Sequence, residues 1–190
     1  MSELARRRRG MMMGGNQPTV EPLALYKNTG SGVIAPEAGD FVAAGQIAGT
    51  QGSNEGRFTK STNPAYLYLQ SGRLSGHASN CYSFASTKKI DLSKYKTIRI
   101  VGNRSGTGTW NTDVWGCVVV APSVTDATNA NDAYGGQGNY FRASLNASGD
   151  FDIATEIPSQ FRQEMYVGMC AQCWSVGKNI KYSVKEIWLE

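Results

Sequence analysis

Alternation with period two runs through most of the chain. Over residues 80–86, Tyr82 and Phe84 fall on one side and Cys81, Ser83 and Ala85 on the other. Residues 97–100 (TIRI), 140–145 (through Phe141, Ala143 and Leu145) and 166–174 (through Val167, Met169, Ala171 and Cys173) repeat the pattern. Such alternation places one set of side chains on each face of a strand. Residues 23–28 and the Tyr- and Leu-rich 65–70 complete the set of simple strand candidates. Residues 114–121 are continuously apolar, which predicts a central strand covered on both faces. In the last segment Ile180, Tyr182 and Val184 share one parity while Ile187 and Leu189 share the other. The phase change at Lys185-Glu186 predicts a β-bulge, because one extra residue swaps faces.

Stretches rich in Gly, Asn, Ser and Thr, such as 102–113 and 126–139, read as loops. No helical period is sustained, and Pro158 to Glu164 predicts at most one turn. Eight or so short strands joined by polar loops define an all-β protein: a single antiparallel β-sandwich of the jelly-roll kind over residues 21–190. Residues 1–20 form a separate short basic, Met-rich arm, in which Gly10 and Gly14-Gly15 end any helix begun at Ser2.

Charge sharpens this division. The net charge is +4, and Arg6, Arg7, Arg8 and Arg9 account for it, since the other 15 Lys and Arg match 15 Asp and Glu. The domain therefore lacks the basic field of a nucleic-acid-binding domain, and a nucleic-acid role is disfavoured. The apolar run at 114–121 is far short of the roughly 20 residues a membrane-spanning helix needs, so no membrane insertion is expected. No apolar stretch follows the N-terminal charges, so no signal peptide is read and the chain is expected in a cytoplasm. Cys81, Cys117, Cys170 and Cys173 are accordingly expected to be free and unmetallated.

Candidate chemistry is sparse. His77 is the only histidine, sits after Ser75-Gly76, and is joined by no G-x-S-x-G elbow. Cys170 and Cys173 form a C-x-x-C without the second pair that zinc requires. In a continuous strand they also point to opposite faces, which favours buried structural thiols. Asp150, Asp152 and Glu156 could supply the two carboxyls of a glycosidase, but read better as turn residues around Gly149. No cofactor is implied and no enzyme is expected. The aromatics offer more. Trp110 and Trp115 flank Asn111, Thr112 and Asp113, and Tyr134 and Tyr140 flank a Gly-Gly-Gln-Gly-Asn stretch. Rings of this kind stack on sugars while Asn and Asp bond hydroxyls, so Trp110, Asn111, Asp113, Trp115, Tyr134 and Tyr140 are the candidate glycan contacts. Core packing or a subunit contact would use the same residues.

The opening MSELARRRRGMMMGG resembles the start of many small structural proteins of tailed bacteriophages and prophages. The pair IDLSKYKTIRIVG (90–102) and IKYSVKEIWLE (180–190) resembles β-sandwich domains of phage tail and fibre proteins and of carbohydrate-binding modules. The resemblance implies a non-enzymatic virion component (fibre, tail or capsid-decorating), assembled in a host cytoplasm and forming a homo-oligomer. It would bind other virion proteins or a host surface polysaccharide. Independently of the resemblance, Arg6, Arg7, Arg8, Arg9, Met11, Met12 and Met13 read as an assembly anchor for a protein socket, favoured over phosphate neutralisation because they combine guanidinium pairing with adaptable apolar burial. A free carbohydrate-binding module is the alternative, and a glycan-cleaving enzyme a third, weaker reading.

Overall fold

The computed structural model describes residues 20–48, 56–75, 80–129 and 139–190. Within them the chain forms β1 (Leu23–Lys27), β2 (Val33–Ile34), β3 (Phe41–Ala48), β4 (Arg57–Thr62), β5 (Ala65–Gly72), β6 (Asn80–Ser86) and β7 (Ile90–Asp91). β8 (Thr97–Gly106), β9 (Val114–Ala121), α1 (Val124–Asn129), β10 (Phe141–Ser144), β11 (Gly149–Glu156), β12 (Glu164–Cys173) and β13 (Asn179–Leu189) follow. A single 3-10 turn at Ser159–Phe161 falls inside the expected one-turn segment.

The strands make two antiparallel sheets, as the alternation predicted. The seven-stranded sheet runs β11-β8-β13, and the far edge of β13 is then shared. β5 pairs with Asn179 to Val184, and β1 pairs with Glu186 to Leu189. The handover lies at a register shift between Val184 and Glu186, so the bulge sits at the expected phase change. The six-stranded sheet runs β10-β9-β12-β6-β3, with β7 also on β12.

Between the sheets lies the main core, with Leu25, Leu67, Leu69, Ile98, Ile100, Tyr182 and Val184 from one side and Phe84, Val118, Val120, Val167 and Met169 from the other. Phe84 stacks on Phe58 at 4.7 Å and meets Phe41 edge-on at 5.7 Å. Tyr182 crosses the whole interlayer space. Its hydroxyl donates to the Leu145 carbonyl at 3.1 Å, and its ring lies where a Cβ on Gly116 would be. Burial pushes its phenol pKa up, so it stays a neutral donor.

β9 is buried along its full length, as its unbroken apolar run predicted. Its second face packs into a smaller cluster with Cys81, Ala85, Cys170 and Ala127 of α1. That helix overlaps the start of the expected loop 126–139 and corrects it. Ser123 caps it, accepting the Asp126 N–H at 3.0 Å and donating to the Asp126 carboxylate at 2.6 Å. β8 likewise runs to Gly106 through the start of the expected loop 102–113. β2, β3, β4, β7 and β11 lie outside the sequence-based strand set. β3 has a small-residue middle, Ala43-Ala44-Gly45, and carries a register shift between Ala43 and Gly45, so its alternation is broken.

Candidate functional site

Loop 107–113 carries the first group of expected contacts. The Thr109 carbonyl accepts the N–H groups of Asp113 at 2.8 Å and Val114 at 3.2 Å. The Asp113 carboxylate accepts the Thr109 N–H at 2.9 Å. A hydrogen bond from Ser175, then that N–H, hold its pKa below the usual carboxylate range. Asn111 turns the chain with φ of 60°, a left-handed conformation Asn tolerates. The loop is pinned to the end of β12 because Trp174 donates its backbone N–H to the Asp113 carbonyl at 3.0 Å and its indole N–H to the Thr112 carbonyl.

These bonds commit the Asp113 carboxylate and the loop backbone to the protein itself, while Asn111 is exposed. Trp110 lies under the Arg104 guanidinium at 5.1 Å, and Arg104 also donates to the Ala147 and Gly108 carbonyls. Trp115 is only 9% exposed. It donates to the Ser144 hydroxyl at 3.3 Å and is covered by Arg142 at 5.2 Å. Tyr140 is not brought to this group. It precedes β10, whose Phe141 pairs with Val120, so it lies near Ala121 at the far end of β9. Six strand positions separate it from Trp115, roughly 20 Å at about 3.3 Å per residue. Tyr134, His77 and the anchor residues Arg6, Arg7, Arg8, Arg9, Met11, Met12 and Met13 lie outside the described residues.

A more open aromatic surface lies on the outer face of the seven-stranded sheet. Because Leu67, Leu69, Tyr182 and Val184 point into the core, their neighbours Tyr66, Tyr68, Gln70, Lys181 and Ser183 point outward. The registers align Thr59, Tyr68, Ser183, Asn103 and Asp150 in one row across five strands. Arg57, Gln70, Lys181 and Ser105 form the next row. Tyr66 and Tyr68 are half-buried, with ring centroids 6.2 Å apart. Arg57 lies over the Tyr68 ring at 4.8 Å, and the Tyr68 hydroxyl donates to Gln70 at 2.5 Å. Further along, Trp188 is half-buried beside Lys27 and donates to Glu186 at 2.6 Å. Sequence reasoning passed over these residues. The available signal was Tyr66 and Tyr68 alternating with Leu67 and Leu69, which marks the tyrosines as the solvent side of a half-buried strand.

The acidic candidates flank this face. Asp152 forms an ion pair with Arg99 at 2.5 Å, Asp150 with Lys185 at 3.3 Å, and Glu156 with Arg162 at 2.9 Å. The Arg99 hydrogen bond holds Asp152 below the usual carboxylate range, as Asn103 and then Lys185 do for Asp150. A general acid needs the opposite shift. Cys170 and Cys173 do point to opposite faces, Cys170 into the small cluster and Cys173 into the main core. All four cysteines are buried thiols outside any disulfide.

The fold and this face define a β-sandwich with an aromatic, polar outer surface. No protein-family model matches the sequence, and neither does any curated protein. Several solved carbohydrate-binding modules align with the chain at low identity. A family 27 module from Caldicellulosiruptor saccharolyticus, solved with mannohexaose, is 14% identical with a TM-score of 0.47, over 90% of this chain and 98% of that one. The family 11 module of a cellulosomal cellulase from Clostridium thermocellum is 10% identical with a TM-score of 0.45, over 86% and 93%. A family 30 module is 8% identical with a TM-score of 0.45, over 89% and 98%.

Proposed function

We propose that this protein is a non-catalytic glycan-binding β-sandwich that holds an extended polysaccharide against the outer face of its seven-stranded sheet. The observation that carries this reading is the Tyr66–Tyr68 pair, two half-buried rings 6.2 Å apart on one strand. The two rings are tilted 55° to each other, and with the Arg57 guanidinium over Tyr68 they offer a mixed apolar and cationic surface against which sugar rings and their hydroxyls can pack. Gln70, Lys181, Ser183, Asn103 and Ser105 surround them with the donors and acceptors that hydroxyls need. A rigid sheet keeps this constellation preorganised, so little ordering entropy is lost on binding.

The loop group around Trp110, Asn111, Asp113 and Trp115 braces the sandwich end in this reading rather than holding the sugar. The carboxylates of Asp150, Asp152 and Glu156 serve as surface ion pairs, which supports a binding rather than a hydrolytic role. Attachment to a particle through Arg6 to Arg9 and Met11 to Met13, and assembly into a homo-oligomer, rest on the sequence alone.

The test is affinity electrophoresis against immobilised β-linked mannans, glucans and galactans, followed by calorimetry on any polymer that retards migration. The wild-type chain is expected to be retarded by at least one of them. Tyr66→Ala and Tyr68→Ala should each weaken binding at least tenfold with no change in melting temperature beyond a few degrees. Retardation that survives the double substitution would overturn the assignment to this face. Migration indifferent to every polymer would overturn the glycan-binding reading itself.

A further inference from the structure

Three of the four thiols converge on the outer side of the six-stranded sheet, in the small cluster beneath α1. Cys170 on β12 stands directly opposite Cys117 on β9. On its other flank, β6 places Cys81 opposite Gln172, two residues along from Cys170 and on the same face. The Cys81 and Cys170 sulfurs meet at 2.9 Å, inside ordinary van der Waals contact. A disulfide requires about 2.05 Å, so closure asks for a movement of roughly 0.9 Å. Both residues are essentially inaccessible, at 2% and 0% exposure, so the pair is shielded from large reagents.

We propose that Cys81 and Cys170 are a built-in disulfide site that closes when the protein meets a small peroxide. One cysteine gives up its proton and attacks hydrogen peroxide as the thiolate; the O–O bond breaks, a sulfenic acid forms, and the departing hydroxide takes the released proton as one water. The second sulfur attacks the sulfenic sulfur and the S–O bond breaks. The departing hydroxide takes the remaining thiol proton as a second water. Two thiols and one peroxide thus give one disulfide and two waters. The bond ties β6 to β12 across 89 residues of sequence, clamping the small cluster and the seat of α1. Cys117 remains a thiol beside the bond, and Cys173, on the opposite face, takes no part.

The experiment treats the native full-length chain with hydrogen peroxide, alkylates under denaturing conditions, digests it and maps the peptides by mass spectrometry. The expected product has lost two hydrogens, links the Cys81 and Cys170 peptides, and is alkylated at Cys117 and Cys173. Its melting temperature should rise by about 10 °C, as expected for closing a long loop in a domain of this size, and should return on reduction. Cys117→Ser should still form the link and Cys170→Ser should not. Four alkylated cysteines, a Cys117–Cys170 link, or sulfinic acid without a link would each overturn the proposal. The wild-type map decides the matter even if a variant fails to fold.

Discussion

Gly116→Ala tests whether Tyr182 locks the two layers together. A Cβ at this position would lie 2.3 Å from the Tyr182 hydroxyl oxygen and 2.6 Å from Cε2. The ring cannot retreat freely, because Tyr182 is fully buried and its hydroxyl is held by the Leu145 carbonyl at 3.1 Å. The Leu145 N–H in turn donates to the Gly116 carbonyl at 2.9 Å, so the obstruction and the anchor share one backbone. Overpacking of this kind costs about 1–3 kcal/mol. Tyr182→Phe removes the nearest obstructing atom and leaves the Leu145 carbonyl without its phenol, at about 1–2 kcal/mol. The double variant should cost less than the sum, with a coupling of about 0.5–1 kcal/mol, because the oxygen that the added methyl group strikes is gone. Urea unfolding followed by tryptophan fluorescence measures all three. Gly116→Ala within about 0.5 kcal/mol of wild type, or strictly additive effects, would refute this account of the interlayer contact.

Other expectations follow from the same geometry. Phe84→Ala should cost about 3–5 kcal/mol in the same urea assay, since it empties the space between Phe41 and Phe58. Ser123→Ala should cost about 1 kcal/mol through loss of the α1 cap, read as a lower unfolding midpoint with unchanged slope. Asp152 is held below its unfolded pKa by Arg99, so its contribution is present above the unfolded value and is lost as pH falls through the folded one. Melting temperature should therefore drop below about pH 4, and Asp152→Asn should flatten that part of the profile. Deleting residues 1–15 should leave the melt nearly unchanged, because among the described residues the core cluster and its packed neighbours begin at Leu23. If Arg6 to Arg9 and Met11 to Met13 are the anchor, the same deletion abolishes incorporation into particles.

The side on which each residue falls was legible wherever alternation was clean. Tyr82 and Phe84 against Cys81 and Ala85, Cys170 against Cys173, and the phase change before Ile187 all follow from the period of a strand, which is a local property. The eight apolar residues of β9 announced cover on both faces for the same reason. β11 carried a readable alternation too, with Phe151 and Ile153 against Asp150 and Asp152, but Gly149 made the segment look like a turn. β3 carried none, because its middle is the small Ala43-Ala44-Gly45 and its register shifts there. The capping pattern Ser123-x-x-Asp126 was present, yet six residues are too few to display a helical period. What the chain order could not show is which strands become neighbours. That Cys81 meets Cys170 depends on β6 and β12 pairing in one register across 89 residues. That Tyr68 shares a row with Asn103 and Asp150 depends on β13 joining β5 to β8. That Trp115 is covered by Arg142 and separated from Tyr140 depends on where β10 lies along β9. Side-chain periodicity is decided within a few residues by backbone geometry, whereas the choice of partner is decided by burial and backbone hydrogen bonding summed over the whole sandwich.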